Sequence, residues 1–270
     1  MALESSGHFS FTFPNATISQ HCYQIVMTNR TGIIAAMDSE LRNLKAALEH
    51  ERTETIAGRE IHYGSLEEQP VAVVLCGCGK VNAAHSASLL AGYAKVSRIL
   101  LTGVSGGLAE GVKVGDIVIG DSFVQHDMDT RPLFPLHEIP FEGFSVIEAD
   151  PRLRHLLAAA SLAMLAEKRL PELAEARSFE GLVVSGDQFL SSSEVRNRVL
   201  EALPKAFAVD MESAAIAQVC KAADIPLGVM RVISDSADGR AHIDFAKFVE
   251  ETAAKACAET VRHALRALAR

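Results

Sequence analysis

At 270 residues the chain is long enough for a single α/β domain with a large core, and 49% hydrophobic against 22% charged residues is the balance of a folded globular protein. A formal net charge of −8 repels a nucleic-acid backbone unless basic residues cluster, and no such cluster stands out, so nucleic acid is excluded as a partner. No apolar run approaches the roughly 20 residues of a membrane-spanning helix, and no membrane partner is expected.

The cysteines, Cys22, Cys76, Cys78, Cys220 and Cys257, are odd in number, and most sit in apolar patterns. That usage suits reduced, buried thiols and a cytoplasmic protein. Cys76-Gly77-Cys78 has no second pair at ligand spacing, so no metal is expected, nor any cofactor.

Residues 1–30 are polar, without an apolar core of signal-peptide length, and read as a partly disordered extension in which Tyr23 to Thr28 can add an edge strand. The apolar run Thr31 to Met37 is a buried strand, and Asp38-Ser39-Glu40 opens a helix predicted to reach His50. A β-meander follows over Glu54 to Ile56, Glu60 to Ser65 and Val71 to Cys76. Gly77-Cys78-Gly79-Lys80-Val81-Asn82 then starts a helix running to about Ala94. It is half of a dinucleotide fingerprint and lacks the third glycine, so its glycines are assigned to a tight turn.

Arg98 to Leu101 is the next strand, ending in a glycine-rich turn, Thr102 to Gly107, whose backbone N–H groups approach whatever fills the crevice. Lys113 to Val124 holds a further strand. The segment after His126-Asp127 is broken by Pro132, Pro135 and Pro140 yet carries Phe134, Leu136, Ile139 and Phe141, so it should cover a pocket or a subunit partner, or else pack on its own core. Asp150-Pro151 caps a helix with Leu153, Leu156, Leu157, Leu162 and Leu165 buried. Gly181 to Ser185 is a strand leading into Gly186-Asp187-Gln188-Phe189-Leu190 and a serine-capped helix, and Phe245 to Leu268 is an amphipathic helix.

Phe207 to Val209 reads as a short buried strand running into Asp210-Met211-Glu212, and a helix joins it to a second apolar run, Leu227 to Ile233, that ends in Ser234-Asp235. Ligands in open α/β sheets sit outside the carboxyl ends of strands, which sets Met211, Glu212 and Asp235 toward one crevice. Asp210 and Glu212 can also be read as a helix cap and a dipole partner. Arg231 lies inside the apolar strand, where an unpaired guanidinium is too costly to bury, so it is assigned to hold an acid in place. The alternation of strands and helices predicts a three-layer α/β/α sandwich around a central mixed sheet, with residues 31–270 as one domain.

Glu40, Glu212 and Asp235 are thus three strand-end acids, and a pair of carboxyl groups in different protonation states suits cleavage of an N-glycosidic bond. VDMESAAIA followed by VMRVISDSAD resembles the nucleoside phosphorylase/hydrolase superfamily, and within it the 5'-methylthioadenosine/S-adenosylhomocysteine nucleosidases, over roughly Thr31 to Leu268. The resemblance implies a nucleoside phosphorylase-like fold, a small-molecule nucleoside substrate, a homodimer and release of adenine. It sets Glu40, beside Met37, where the family activates water, and Asp235, oriented by Ser234, where a general acid meets purine N7. It sets Phe189 on the purine face, Leu190 at the purine edge, and Met211 and Glu212 at the ribose.

In the glycine turn Val104-Ser105-Gly106, Val104 stands where the nucleosidase pattern has serine, which keeps open a nucleoside-binding protein without turnover. A phosphorylase, or a hydrolase of another purine nucleoside, is the other alternative. The acids of Asp38-Ser39-Glu40 would repel a phosphate dianion, which favours water as the nucleophile.

Overall fold

β1 (Thr31–Ala35) is buried at every position and lies between two parallel partners, β4 (Gln69–Leu75) and β5 (Arg98–Gly107). These coordinates are a computed structural model and describe residues 29–237 and 248–269. The edge strand expected at Tyr23 to Thr28 and the start of the last helix at Phe245 lie outside them.

From β4 the meander continues through antiparallel β3 (Arg59–Leu66) to β2 (Glu49–Ile56) at the edge. Beyond β5 the sheet curls. β10 (Leu227–Asp235) runs parallel to β5 and antiparallel to β6 (Ile117–Gln125). β6 and β8 (Ser178–Ser185) are parallel, as are β8 and β9 (Ala206–Asp210), and β9 returns antiparallel to β5 through Gly106↔Val209 and Gly107↔Ala208. β5, β10, β6, β8 and β9 therefore close a ring at one side of the mixed sheet, and β7 (Ile147–Glu148) adds a short strand to β6.

Alternation along β1 shows how the sheet gains two covered faces. Ile34 packs into a cluster with Ala83, Ala87 and Leu90 of α2 (Lys80–Gly92) and Ile216 and Cys220 of α5 (Ser213–Ala222). Ile33 and Ala35 face the other way, onto α1 (Asp38–Ala46) and α6 (Ala254–Leu268). α3 (Pro151–Ala166) packs beside α6 on that same face. Both isoleucines are fully buried, and truncating either to alanine would cost about 2–5 kcal/mol.

Several expected boundaries shift, each for a local reason. α1 stops at Ala46, because the run from Glu49, with β-branched Thr53 and Thr55, pairs with β3 as an exposed edge strand. The glycine-rich segment is no turn: β5 extends through Gly107, held between β10 and β9. β6 begins only at Ile117, since Asp116 accepts the Lys113 N–H and closes the turn before it. Asp150 caps α3 as expected, accepting from the N–H groups of Arg152 and Leu153, but Leu162 is on its exposed face. α4 (Ser193–Ala202) is capped by Ser192. In the proline-broken segment, Ile139 is buried while Leu133 and Phe141 are exposed. Cys76, Cys220 and Cys257 are buried free thiols, whereas Cys78 is exposed. Among the described residues no helix is long and apolar enough to cross a membrane.

Candidate active site

β9 pairs with β5 only through its last residues, and in the antiparallel sense, so the carboxyl ends of the two strands meet and deliver Asp210-Met211-Glu212 beside Val104-Ser105-Gly106. The β10–β5 register adds Asp235 opposite Gly106. β1 supplies Met37 and Glu40 just past its end. These segments line one cleft of about 620 Å³, counted to its open mouth, together with Ser234, Phe189 and Leu190.

Glu40 divides its carboxylate between two tasks. Oε2 accepts the backbone N–H groups of Ala36 and Met37, each at 3.0 Å, which fixes the turn from β1 into α1. Oε1 is buried in the cleft wall, where among the described residues no hydrogen bond of ordinary geometry reaches it. Burial raises this carboxyl, against the pull of Arg231 and of the Met37, Ala36 and Val104 N–H groups. Asp38, by contrast, points outward and pairs with Arg42 at 3.1 Å, so the negative wall expected from Asp38-Ser39-Glu40 is made in the cleft by Glu40 alone.

Arg231 is fully buried behind the cleft and joins two acids. Its Nη2 lies 2.8 Å from Asp210 Oδ2 and 3.2 Å from Glu212 Oε2. Burial works against its charge, and Asp210, Glu212 and Glu40 hold it protonated. Asp210 also takes the Ser185 hydroxyl at 2.5 Å, the Ser213 hydroxyl, and the N–H groups of Glu212 and Ser213 at 3.1 Å, so the capping role is real. Glu212 is left to face the cleft. Its Oε1 accepts the Gly79 N–H at 3.0 Å, and burial pushes its pKa up to about 7, against the pull of Arg231.

Gly103 makes room for this cluster. A Cβ there would stand 2.4 Å from Arg231 Nη1 and 3.1 Å from Glu40 Oε1. On β10, Ser234 Oγ donates to Asp235 Oδ2 at 2.9 Å, and Asp235 Oδ1 accepts the Ala237 N–H at 2.8 Å. At the mouth Phe189 is half-exposed, while Leu190 is buried behind it.

The sequence reading missed what holds the Gly186–Leu190 loop. Gly79 has φ of 97°, a left-handed conformation that aims its N–H at Glu212, and the next residue, Lys80, donates its own N–H to Asp187 Oδ1 at 2.8 Å. Asp187 N–H donates to Asp127 Oδ2 at 2.9 Å, and Lys80 Nζ donates to Asp127 Oδ1 at 2.7 Å and Gln125 Oε1 at 3.1 Å. Burial would raise Asp127, but its Lys80 and Asp187 hydrogen bonds outweigh it and hold the carboxyl below its usual range. The available signal was Lys80 at a glycine turn and Asp127 at a strand end, with no spacing rule to join them. Cys78, Gln188, Val209 and Ala237 also line the cleft without having been singled out.

A mixed sheet curled into a ring, with carboxylates from separate strand ends around a cleft open at an aromatic ring, defines an α/β protein built for proton-transfer chemistry on a small molecule. The chain matches the Phosphorylase superfamily over residues 30–266. A crystal structure of 5'-methylthioadenosine/S-adenosylhomocysteine nucleosidase from Neisseria meningitidis, in complex with methylthio-immucillin-A, is 31% identical with a TM-score of 0.80, covering 89% of this chain and 100% of that one. The same nucleosidase from Streptococcus pneumoniae is 31% identical with a TM-score of 0.76, covering 88% and 99%. A futalosine hydrolase mutant of Helicobacter pylori is 27% identical with a TM-score of 0.79, covering 88% and 99%. The chain belongs to the phosphorylase superfamily, in the branch of the 5'-methylthioadenosine/S-adenosylhomocysteine nucleosidases.

Proposed function

We propose that the protein hydrolyses the N-glycosidic bond of 5'-substituted adenosines and releases adenine, with Glu40, Glu212 and Asp235 acting on one nucleoside. The carrying observation is the buried Oε1 of Glu40, which no described residue meets in ordinary hydrogen-bond geometry, in the same cleft as the other two carboxyl groups.

In this reading Phe189 stacks on the purine and Leu190 meets its edge, while Met37, Met211, Val104, Ser105 and Gly106 form the walls around the sugar. Glu212 accepts from the ribose hydroxyls; Gly79 and Arg231 fix one bond to each of its oxygens, and a carboxylate oxygen has further lone pairs to offer. Asp235, tied to Ser234, protonates N7, so that the base leaves as neutral adenine while positive charge grows on the sugar. Glu40 takes a proton from the attacking water through Oε1. Successive strand residues point to opposite faces, so Ser105 does not replace the serine absent at Val104, and the water contact rests on Glu40.

Water rather than phosphate is supported by the charged side chains of the cleft: Glu40, Asp210, Glu212 and Asp235 are all acids. A homodimer is supported by Leu133 and Phe141, 81% and 93% exposed on the proline-broken segment. A cytoplasmic setting is supported by the free buried thiols. Residues 31–270 are taken as one domain, an assignment supported by the continuous sheet.

Release of the purine base from 5'-methylthioadenosine, S-adenosylhomocysteine, adenosine and inosine (adenine from the first three, hypoxanthine from inosine), with and without phosphate, tests this. Phosphate-independent release from the 5'-modified adenosines is expected. Phosphate-dependent release would make the protein a phosphorylase, and tight nucleoside binding without release would make it a binding protein.

A further inference from the structure

The loop that carries Phe189 runs straight into α4, and α4 is thinly rooted. Among its residues only Val199 is buried, with Val195 and Leu200 packed partly beside it. A surface helix with so narrow an apolar stripe has little of its own to fix its position.

Arg196 ties it down. It lies three residues before Val199, on the same side of the helix, and its Nη2 donates to the Leu108 carbonyl at 2.6 Å across 88 residues of chain. Leu108 is buried, and among the described residues Arg196 is the group that donates to its carbonyl. The Leu108 N–H donates to the Phe207 carbonyl at 2.9 Å, and Gly107 before it pairs with Ala208 of β9. The strand end is therefore the fixed member of the contact, and α4 is the member that it holds. A buried carbonyl without a donor is costly, and a guanidinium satisfies it more strongly than a neutral group would, so the contact favours the closed arrangement.

What the contact closes is the base end of the cleft. Leu108 and Val199 share one apolar cluster with Leu190, Val209 and Ala237, and these last three also line the cleft. Two residues before Leu108, Gly106 stands opposite Asp235, so close that a Cβ on it would lie 3.1 Å from Asp235 Oδ1. Arg196 thus seats α4, and with it Leu190 and Phe189, against the strand end that faces Asp235. The Lys80–Asp127–Asp187 chain holds the same loop where it leaves β8; Arg196 holds it beyond Leu190.

We infer that Arg196 is a positioning residue for base recognition. It sets the separation between the Phe189–Leu190 wall and Asp235, and so the fit of the purine, from a place outside the cleft lining. The inference rests on the nucleosidase reading. The ribose end, fixed by the Gly79 and Arg231 bonds to Glu212, makes no use of α4.

The test compares adenine affinity and the kinetics of 5'-methylthioadenosine cleavage in wild type, Arg196→Met and Arg196→Lys. Methionine keeps an apolar stem and removes the donor, while lysine keeps a donor for the carbonyl. In Arg196→Met the Kd for adenine and the KM for 5'-methylthioadenosine should rise together, about five- to tenfold, with kcat within about threefold of wild type. Arg196→Lys should recover most of the loss. An adenine Kd within about twofold of wild type in Arg196→Met, or a loss carried by kcat alone, would overturn the positioning role and leave the nucleosidase reading intact. Wild-type protein that released no adenine from any 5'-modified adenosine would overturn that reading, and the role of Arg196 with it.

Discussion

Arg231 donates from Nη2 to Glu212 Oε2 at 3.2 Å, and the guanidinium has no access to solvent. It is both a structural counter-charge and the support that turns Glu212 toward the cleft. Arg231→Met would leave Asp210 and Glu212 buried without their cation. Breaking a buried pair from one side costs about 3–5 kcal/mol, so denaturant unfolding should show a loss of that order and adenine release should fall with it. A loss under about 1 kcal/mol would mean that the acids are held by their other hydrogen bonds.

Gly103 is expected to tolerate no side chain. In Gly103→Ala the new methyl would lie 2.4 Å from Arg231 Nη1, and the fully buried guanidinium has nowhere to retreat. Overpacking of this kind costs about 1–3 kcal/mol, and displacement of Arg231 should cut kcat more than tenfold, read as about that factor or larger. Gly92→Ala, with open space around the same atom, serves as the control and should leave both stability and activity near wild type. Equal behaviour of the two variants would contradict the packing account.

The Lys80–Asp127–Asp187 chain predicts a KM effect. Asp127→Asn weakens both the Lys80 contact and the acceptor for the Asp187 N–H, loosening the loop that carries Phe189. KM for the nucleoside should rise about five- to tenfold while kcat changes less, and Lys80→Met combined with Asp127→Asn should be less than additive, as for residues in one network. Additive effects, or a loss confined to kcat, would count against the clamp.

Acidity separates activity from stability. Burial raises Glu40, so if its ionised form activates water, kcat/KM should fall on the acid side with a midpoint above the ordinary value of 4.5. Glu212, raised to about 7 in the folded state, contributes stability that is complete below its unfolded value and lost as pH rises through about 7. Between these limits activity should climb with pH while the Glu212 contribution to stability declines. Comparing wild type with Glu212→Gln isolates that carboxyl from His126 and His137, whose burial-lowered pKa values act in the opposite direction. Parallel pH slopes in the two proteins would remove Glu212 from this role.

Acids at the ends of apolar runs were readable in the sequence because strand length and direction place them without knowledge of partners: Glu40 after β1, Glu212 after β9 and Asp235 at the end of β10 reach one cleft. Arg231 was readable for the same reason, as a charge in a run with no water. Register was hidden. Whether Thr102 to Gly107 turns or stays extended depends on β9 and β10 arriving at its two edges, which no local pattern records. Lys80, Asp127 and Asp187 come from three separate connections, and Arg196 meets the Leu108 carbonyl only because α4 packs at the end of β5.

The most direct measurement of the central claim is single-turnover adenine release from 5'-methylthioadenosine by Asp235→Asn, beside wild type, with circular dichroism to establish the fold. An asparagine keeps the shape but has no acidic proton for N7, so the rate should fall by about 10²–10⁴ in a protein that remains folded. A folded variant within about tenfold of the wild-type rate would mean that the departing purine receives its proton from another group.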